Sequence, residues 1–441
     1  MRDIFLVLAI LVALGMTLRW PFVGVLLWTW FALQNPHQET YGFPRTAPLN
    51  LVIAIVTIGS WLLSRERKVP ATGFIFWMII AFLMWMTFNS FFAFAPDFSW
   101  PLWDRTWKTV ALGMVIAATA TDRVRIHALV WIVVVSLFYY GAKGGLFTLM
   151  TGGNYHVLGP AATMIGDNNT LAVALLMTLP FANYLRTQSA DKRVAAALLV
   201  GIVLTAIAIL GTYSRGALIG IAALGLLGLL RMRHKIIYLS VAAAFVVFVV
   251  AFMPAKYWGR MNTIDTAVVT STDSSTTVTD SSKEDTSFHG RIVAWKVATM
   301  YARDHFPFGA GFAGAVLGPV FNHYFPDENA HAAHSIYFEV LGDHGFIGLA
   351  LYLTILAAAF LKCSKMIAVS RRQPDRRWIT DLAIAIQASL FVFCVSGAAL
   401  SMAYYDLFII DVMLLLPLGG LALPAKIRPP AWAPTPTAAS G

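Results

Sequence analysis

Ala195-Ala-Ala-Leu-Leu-Val-Gly-Ile-Val-Leu-Thr-Ala-Ile-Ala-Ile-Leu-Gly-Thr212 is followed, after Tyr213 and Ser214, by Arg215-Gly-Ala-Leu-Ile-Gly-Ile-Ala-Ala-Leu-Gly-Leu-Leu-Gly-Leu-Leu230. Each run is nearly long enough to cross the hydrocarbon of a bilayer as a helix, and so short a link makes them neighbours. Comparable runs recur at 3–18, 21–34, 49–64, 72–94, 106–121, 126–142, 168–185, 236–253, 345–361, 379–400 and 407–424. The composition agrees: 58% hydrophobic and 12% charged, with mean hydropathy +0.70. Short alternating segments of a membrane barrel are missing. The expected fold is an all-α polytopic membrane protein with about 12 or 13 transmembrane helices and one large extracytoplasmic loop. Runs 3–18 and 21–34 are separated only by Arg19-Trp-Pro21, so two helices and one interrupted element both stay open. The start, Met-Arg-Asp and then apolar, reads as a first helix rather than a cleaved signal.

The net charge of +10 invites a nucleic-acid partner, but the position of the basic residues argues against one. They gather in short loops at 65–68, 123–125, 192–193, 231–235, 362–377 and 426–428. Alternating sides from one span to the next puts all of these on a single face, as the positive-inside bias requires. That face is cytoplasmic, and with it the C-terminal tail. The other face receives 35–48, 95–105, 143–167, the turn at 212–215, the long segment 254–344 and the turn at 401–406. The chain therefore divides into N-terminal helices (1–160), a second helical group (161–253), the large loop (254–344), C-terminal helices (345–424) and a tail (425–441). Cys363 and Cys394 make neither a disulfide framework nor a metal site.

Several polar features share the extracytoplasmic face. Arg215 must open its helix, where a planar fork and a helix N-terminus both suit phosphate oxygens. Ser214 stands beside it, and Gly216 leaves room for a ligand's approach. Read alone, Arg215 is as well explained by snorkelling to headgroups. Arg291 and Trp295 sit on a segment where Ile292, Trp295, Ala298 and Thr299 recur at helical spacing, as on a helix lying on the membrane surface and touching lipid headgroups. Asp167-Asn-Asn169 reads either as a helix cap or, through Asn169, as a contact to sugar hydroxyls.

The stretch His334-Ser-Ile-Tyr-Phe-Glu-Val-Leu-Gly-Asp-His-Gly-Phe-Ile-Gly348 brings titratable groups to a membrane boundary. Such groups are expensive there without a partner or a cavity. His334 can take a proton from a hydroxyl at neutral pH. The surrounding His323, Asp327, Glu328 and His331 match no metal-ligand spacing, so no metal and no cofactor is expected. Two arginines and a histidine on one face suit transfer from a lipid-linked pyrophosphate: the arginines hold the leaving group, the histidine activates an acceptor hydroxyl. Glu339 and His344 are left without a role.

At these residues the chain resembles the O-antigen ligase and polymerase superfamily. Its pattern of His, Asn or Ser, nine residues, Gly, two residues and a small residue is met by His334, Ser335, Gly345 and Gly348. The Ser-Arg-Gly-Ala element at Arg215, the Arg291…Trp295 segment and the Pro307…Gly309…Gly311 turn resemble the family in order and placement, over about residues 165–350. The N-terminal third, from Asn35-Pro-His-Gln-Glu-Thr-Tyr41 onward, is similar to O-glycosylation ligases associated with exosortase systems. The resemblance implies a bacterial inner-membrane enzyme whose active site faces the periplasm. Its donor would be an undecaprenyl-pyrophosphate-linked glycan, its acceptor a protein, lipid A-core or another glycan. It also implies metal-free, inverting transfer with Arg215 and Arg291 on the pyrophosphate and His334 as base; Ser214, Asn169, Trp295 and Ser335 are the remaining substrate contacts. The Ser/Thr/Asp-rich insert at 263–287 departs from the family pattern and bears on the acceptor side. A polymerase of the same superfamily is the nearest rival. A lipid-linked glycan flippase should instead carry charges near the midplane, and a membrane scaffold would leave the polar convergence unexplained.

Overall fold

The computed structural model describes residues 2–65, 69–231 and 282–422, with positions 240, 243, 251–254 and 257 between them. Most of span 236–253, most of the insert, parts of the basic loops at 65–68 and 231–235, and the tail lie outside the described residues. The described residues form helices and short 3₁₀ turns, with no strand among them. In chain order the helices are α1 (Arg2–Arg19), α2 (Pro21–Gln34), α3 (Leu49–Leu63), α4 (Phe74–Ser90), α5 (Pro96–Thr119), α6 (Arg123–Met150), α7 (Asn168–Gln188), α8 (Lys192–Gly211) and α9 (Arg215–Arg231). Then follow α10 (Ser282–Asp304), α11 (Gly318–Tyr324), α12 (Ile336–Ser370), α13 (Arg377–Gly397) and α14 (Asp406–Ala422). The protein is thus an all-α, multi-pass membrane protein.

Every expected span that falls within the described residues coincides with a helix. By length and composition, four segments are fit to cross a bilayer among the described residues: Arg123–Met150, Lys192–Gly211, Ile336–Ser370 and Pro374–Gly397; shorter apolar helices accompany them. α1 and α2 are separate helices that pack on each other. The break falls where expected, because Pro21 lacks the N–H that would continue α1 and sits at the first turn of α2. α14 is buried on every side from Asp406 to Leu418, as an all-round apolar helix should be. α1 instead exposes Ile4, Phe5, Leu8, Leu11 and Val12, an outward apolar face suited to lipid.

Boundaries and one helix face differ from the sequence reading. The segment 95–105, expected as a loop, is helical: α5 begins at Pro96 and carries Arg105 inside it. Asp406 of α14 pairs with that arginine at 3.0 Å. A helix can hold this charge within its length because its partner comes from another helix, which hydropathy does not register. On α10 the buried residues include Val293, Ala294, Val297, Ala298, Tyr301 and Ala302, while Thr299 is exposed. Of the expected Ile292, Trp295, Ala298 and Thr299 face only Ala298 is fully buried, and the stripe is displaced because α10 packs on α12 and α11.

Candidate active site

The site is organised by a break in a membrane helix. α12 runs from Ile336, but Gly345 has φ 67° and ψ −171°, so the helix is interrupted there. A side chain at 345 would stand 2.6 Å from the Pro307 carbonyl oxygen and 2.8 Å from the Phe308 carbonyl carbon. Only glycine suits both the dihedrals and that proximity. The sequence places a helix start at Gly345 and Gly348; α12 instead starts at Ile336, and Gly345 divides it. A broken helix leaves carbonyls that hydrocarbon cannot satisfy. Here the glycine-rich turn does so: Ala310 N–H donates to Gly342 O (2.8 Å) and Gly311 N–H to Asp343 O (2.9 Å).

The N-terminal helices complete the repair. Trp85 Nε1 of α4 donates to His344 O at 2.8 Å, and Asn89 Nδ2 to Asp343 O at 2.7 Å. Asn89 Oδ1 accepts from Gly309 N–H at 3.0 Å. The Asp343 carboxylate accepts from Ala313 N–H (3.0 Å) and Tyr404 O–H (2.9 Å), and Glu339 accepts from Ala403 N–H at 2.9 Å. Glu339 therefore braces the 401–406 turn, a role the sequence did not suggest. His344 is fully enclosed, set edge-on against Phe312. The signal for Asn89 was available: it is the one amide side chain in a largely apolar helix.

His334 precedes this helix with φ 44°, a left-handed conformation uncommon for a side-chain-bearing residue. It is held on both sides. Ser335 is buried as the residue capping α12, and its carbonyl accepts from Glu339 N–H at 2.8 Å. Trp295 of α10 donates from Nε1 to Ala333 O at 2.6 Å and stacks on Phe338 with centroids 4.8 Å apart. Trp295 thus positions the His334 segment.

Arg215 is the first residue of α9, as the short link demanded. Tyr213 makes the turn with φ 58°, and its hydroxyl bonds Gly153 O. Ser214 Oγ accepts from Ala217 N–H at 3.3 Å, capping the helix. A Cβ at Gly216 would meet Ser396 O at 3.8 Å and Ala399 Cβ at 4.0 Å, ordinary contacts. Protein packing therefore does not demand glycine at 216. On α7, Asp167 accepts from Asn169 N–H (2.8 Å) and Thr170 N–H (3.1 Å), so it caps the helix. The Asn169 amide lies against Asn168 Oδ1 at 3.4 Å.

Arg291 feels the Arg215 charge, and His334 feels the charges of Arg291 and Asp167. Arg291 is half-buried, and its Nε has no hydrogen-bond partner. Burial first, then the Arg215 charge, holds the Arg291 pKa below the usual guanidinium value; the group stays cationic at neutral pH. Burial also lowers the His334 pKa, with Arg291 and His331 adding to the shift and Asp167 opposing it. His334 is therefore neutral at pH 7 and keeps a lone pair. Among the neighbouring candidates, Glu328 instead pairs with His289 at 2.8 Å, and His331 covers Gly290. Two arginines near a neutral imidazole can hold an anionic ligand beside a group able to accept a proton.

The fold thus defines a multi-pass helical membrane protein in which Arg215 and His334 each act electrostatically on Arg291. Residues 200–353 match the family model described as O-Antigen ligase, which supports membership of the O-antigen ligase superfamily. That stretch holds Arg215, Arg291, His334, Gly345 and Gly348. Residues 1–190 match a family of unknown function (DUF5935). No curated protein matches the chain. The ligase match points to a glycan-transferring membrane enzyme with a lipid-linked donor and an acceptor.

Proposed function

We propose that the protein is a glycosyltransferase of the bacterial inner membrane, an O-glycosylation ligase that transfers glycan from undecaprenyl pyrophosphate to an acceptor hydroxyl on the periplasmic face. The acceptor is a protein, a lipid A-core sugar or another glycan. Arg215 and Arg291 bind the pyrophosphate. The acceptor oxygen attacks the anomeric carbon from the side opposite the pyrophosphate as the bond between them breaks, which inverts that carbon. His334 takes the hydroxyl proton, and the arginines stabilise the charge that grows on the leaving pyrophosphate. The Asn169 amide contacts sugar hydroxyls, and Ser214, Trp295 and Ser335 hold the walls of the site.

One observation supports this reading: Arg291 Nε is buried without a partner, and Arg215 and His334, from other elements, each lie within range of the Arg291 charge. An unpaired buried donor on a cation is expensive, and an anionic ligand removes that cost. Comparing glycosylated proteins and lipids from cells with and without the chain tests the activity. Loss should leave the lipid-linked glycan accumulated and one glycosylated product missing. An unchanged product profile in deleted cells would overturn the assignment.

A further inference from the structure

A cavity of about 230 Å³ lies where the end of α2, the 3₁₀ turn after it, the starts of α3 and α14 and the middle of α5 meet the 162–163 segment. Its lining is rich in uncharged hydrogen-bonding groups: Asn35, His37, Gln38 and Asn50. Asn50 Oδ1 and His37 Nδ1 are buried there with no hydrogen-bond partner. Each such group costs about 1–3 kcal/mol if left unsatisfied, so the cavity is built for a polar occupant. Its charges are already matched. Arg105 pairs with Asp406 at 3.0 Å, and Lys108 with Asp104 at 2.5 Å. The other Asp406 oxygen accepts from Thr109 Oγ1 at 2.5 Å. A phosphate would have to displace a carboxylate, whereas a neutral polyol would not. Trp28 adds a rigid apolar wall, and the small volume suits a single ring.

The cavity is not isolated from the reaction centre. Ala162 and Thr163 line it, and the same segment continues into Asp167, whose charge acts on His334.

We propose that this cavity is a sugar subsite that holds one neutral glycosyl residue of a glycan engaged at the Arg215–Arg291–His334 centre. The proposal rests on the transferase reading, and the residue belongs either to the donor glycan or to the acceptor. The amides and His37 read its hydroxyls, and Trp28 lies along its apolar face. The N-terminal helices would then select which glycan is used.

Saturation-transfer NMR on the purified full-length protein in detergent provides the test, with a panel of free hexoses, N-acetylhexosamines and 6-deoxyhexoses. At least one sugar should receive saturation. The signal should fall at least about 10-fold in Asn50→Leu and in Thr163→Trp, and persist in His334→Ala. Asn50→Leu removes an unpartnered acceptor at similar volume, so its thermal midpoint should not drop. In transfer assays Asn50→Leu should raise one KM with little change in kcat, and whether donor or acceptor KM moves identifies the source of the sugar. No signal from any sugar, a signal that survives both substitutions, or displacement of the sugar by inorganic phosphate would each refute the subsite. Absence of transfer by the parent protein would sink the transferase reading, while sugar binding would stand or fall separately.

Discussion

Replacing Gly345 with alanine asks whether the break in α12 is the keystone of the site. The backbone there has φ 67° and ψ −171°, a region open essentially to glycine alone, which costs other residues about 1–3 kcal/mol. The new Cβ would lie 2.6 Å from Pro307 O, so the turn must move away. Moving it breaks the bonds from Ala310 N–H to Gly342 O and from Gly311 N–H to Asp343 O. At about 0.5–1.5 kcal/mol each, the two add roughly 1–3 kcal/mol, for a total of about 2–6 kcal/mol. Gly216→Ala is the matched control, because its Cβ meets nothing closer than 3.8 Å. Alanine is also favoured there by about 0.8–1 kcal/mol in a helix. Denaturation in mixed micelles should therefore show Gly345→Ala strongly destabilised and Gly216→Ala unchanged or stabilised. Transfer should nonetheless fall in Gly216→Ala if the donor approaches that backbone closely. Equal stability of Gly345→Ala and the parent would refute the reasoning about the break.

Further outcomes are expected elsewhere. Arg215→Lys and Arg291→Lys keep the charge but lose the fork; losing one charge-assisted bond of about 1.5–3 kcal/mol should lower donor kcat/KM about 10- to 100-fold, and undiminished values would exclude paired phosphate contacts. In the free enzyme the His334 pKa is below its ordinary 6.5, so the acid limb of kcat/KM should lie below that pH. A bound pyrophosphate favours the protonated ring and raises its pKa, so the acid limb of kcat should sit at higher pH; coincident limbs, or the reverse order, would remove His334 as the titrating base. Asn89→Leu strands the Gly309 N–H and should cost about 1–3 kcal/mol in the same micelle assay, a loss that an unaltered midpoint would contradict. A cysteine at exposed Leu158 and another at exposed Arg371 should be labelled by an impermeant reagent from opposite sides, and labelling of both from outside intact cells would sink the charge-derived topology.

Much of the architecture was legible because a bilayer imposes length and polarity on each span. Pro21 marked the α1–α2 boundary, and the two-residue link fixed Arg215 at the head of α9. His334 and Gly345 were visible as a histidine and a glycine at a membrane boundary. What hydropathy could not supply was the partner of each polar group. The carbonyls freed at Gly345 are met by Asn89 and Trp85, more than two hundred residues away in sequence. The stripe on α10 shifted for a related reason: its neighbours are protein helices rather than the membrane surface. Glu339 and Asp343 gave no readable role because each is a brace for a backbone turn elsewhere. The sugar-sized cavity was invisible for the same cause, since its walls come from five separated segments.

Turnover by His334→Ala with defined lipid-linked donor and acceptor in reconstituted vesicles tests the central claim most directly. Donor binding should stay near that of the parent, because the arginines remain. Single-turnover transfer should fall about 10²- to 10⁴-fold, the usual worth of a positioned general base. Transfer within a few-fold of the parent in a well-folded variant would contradict the account.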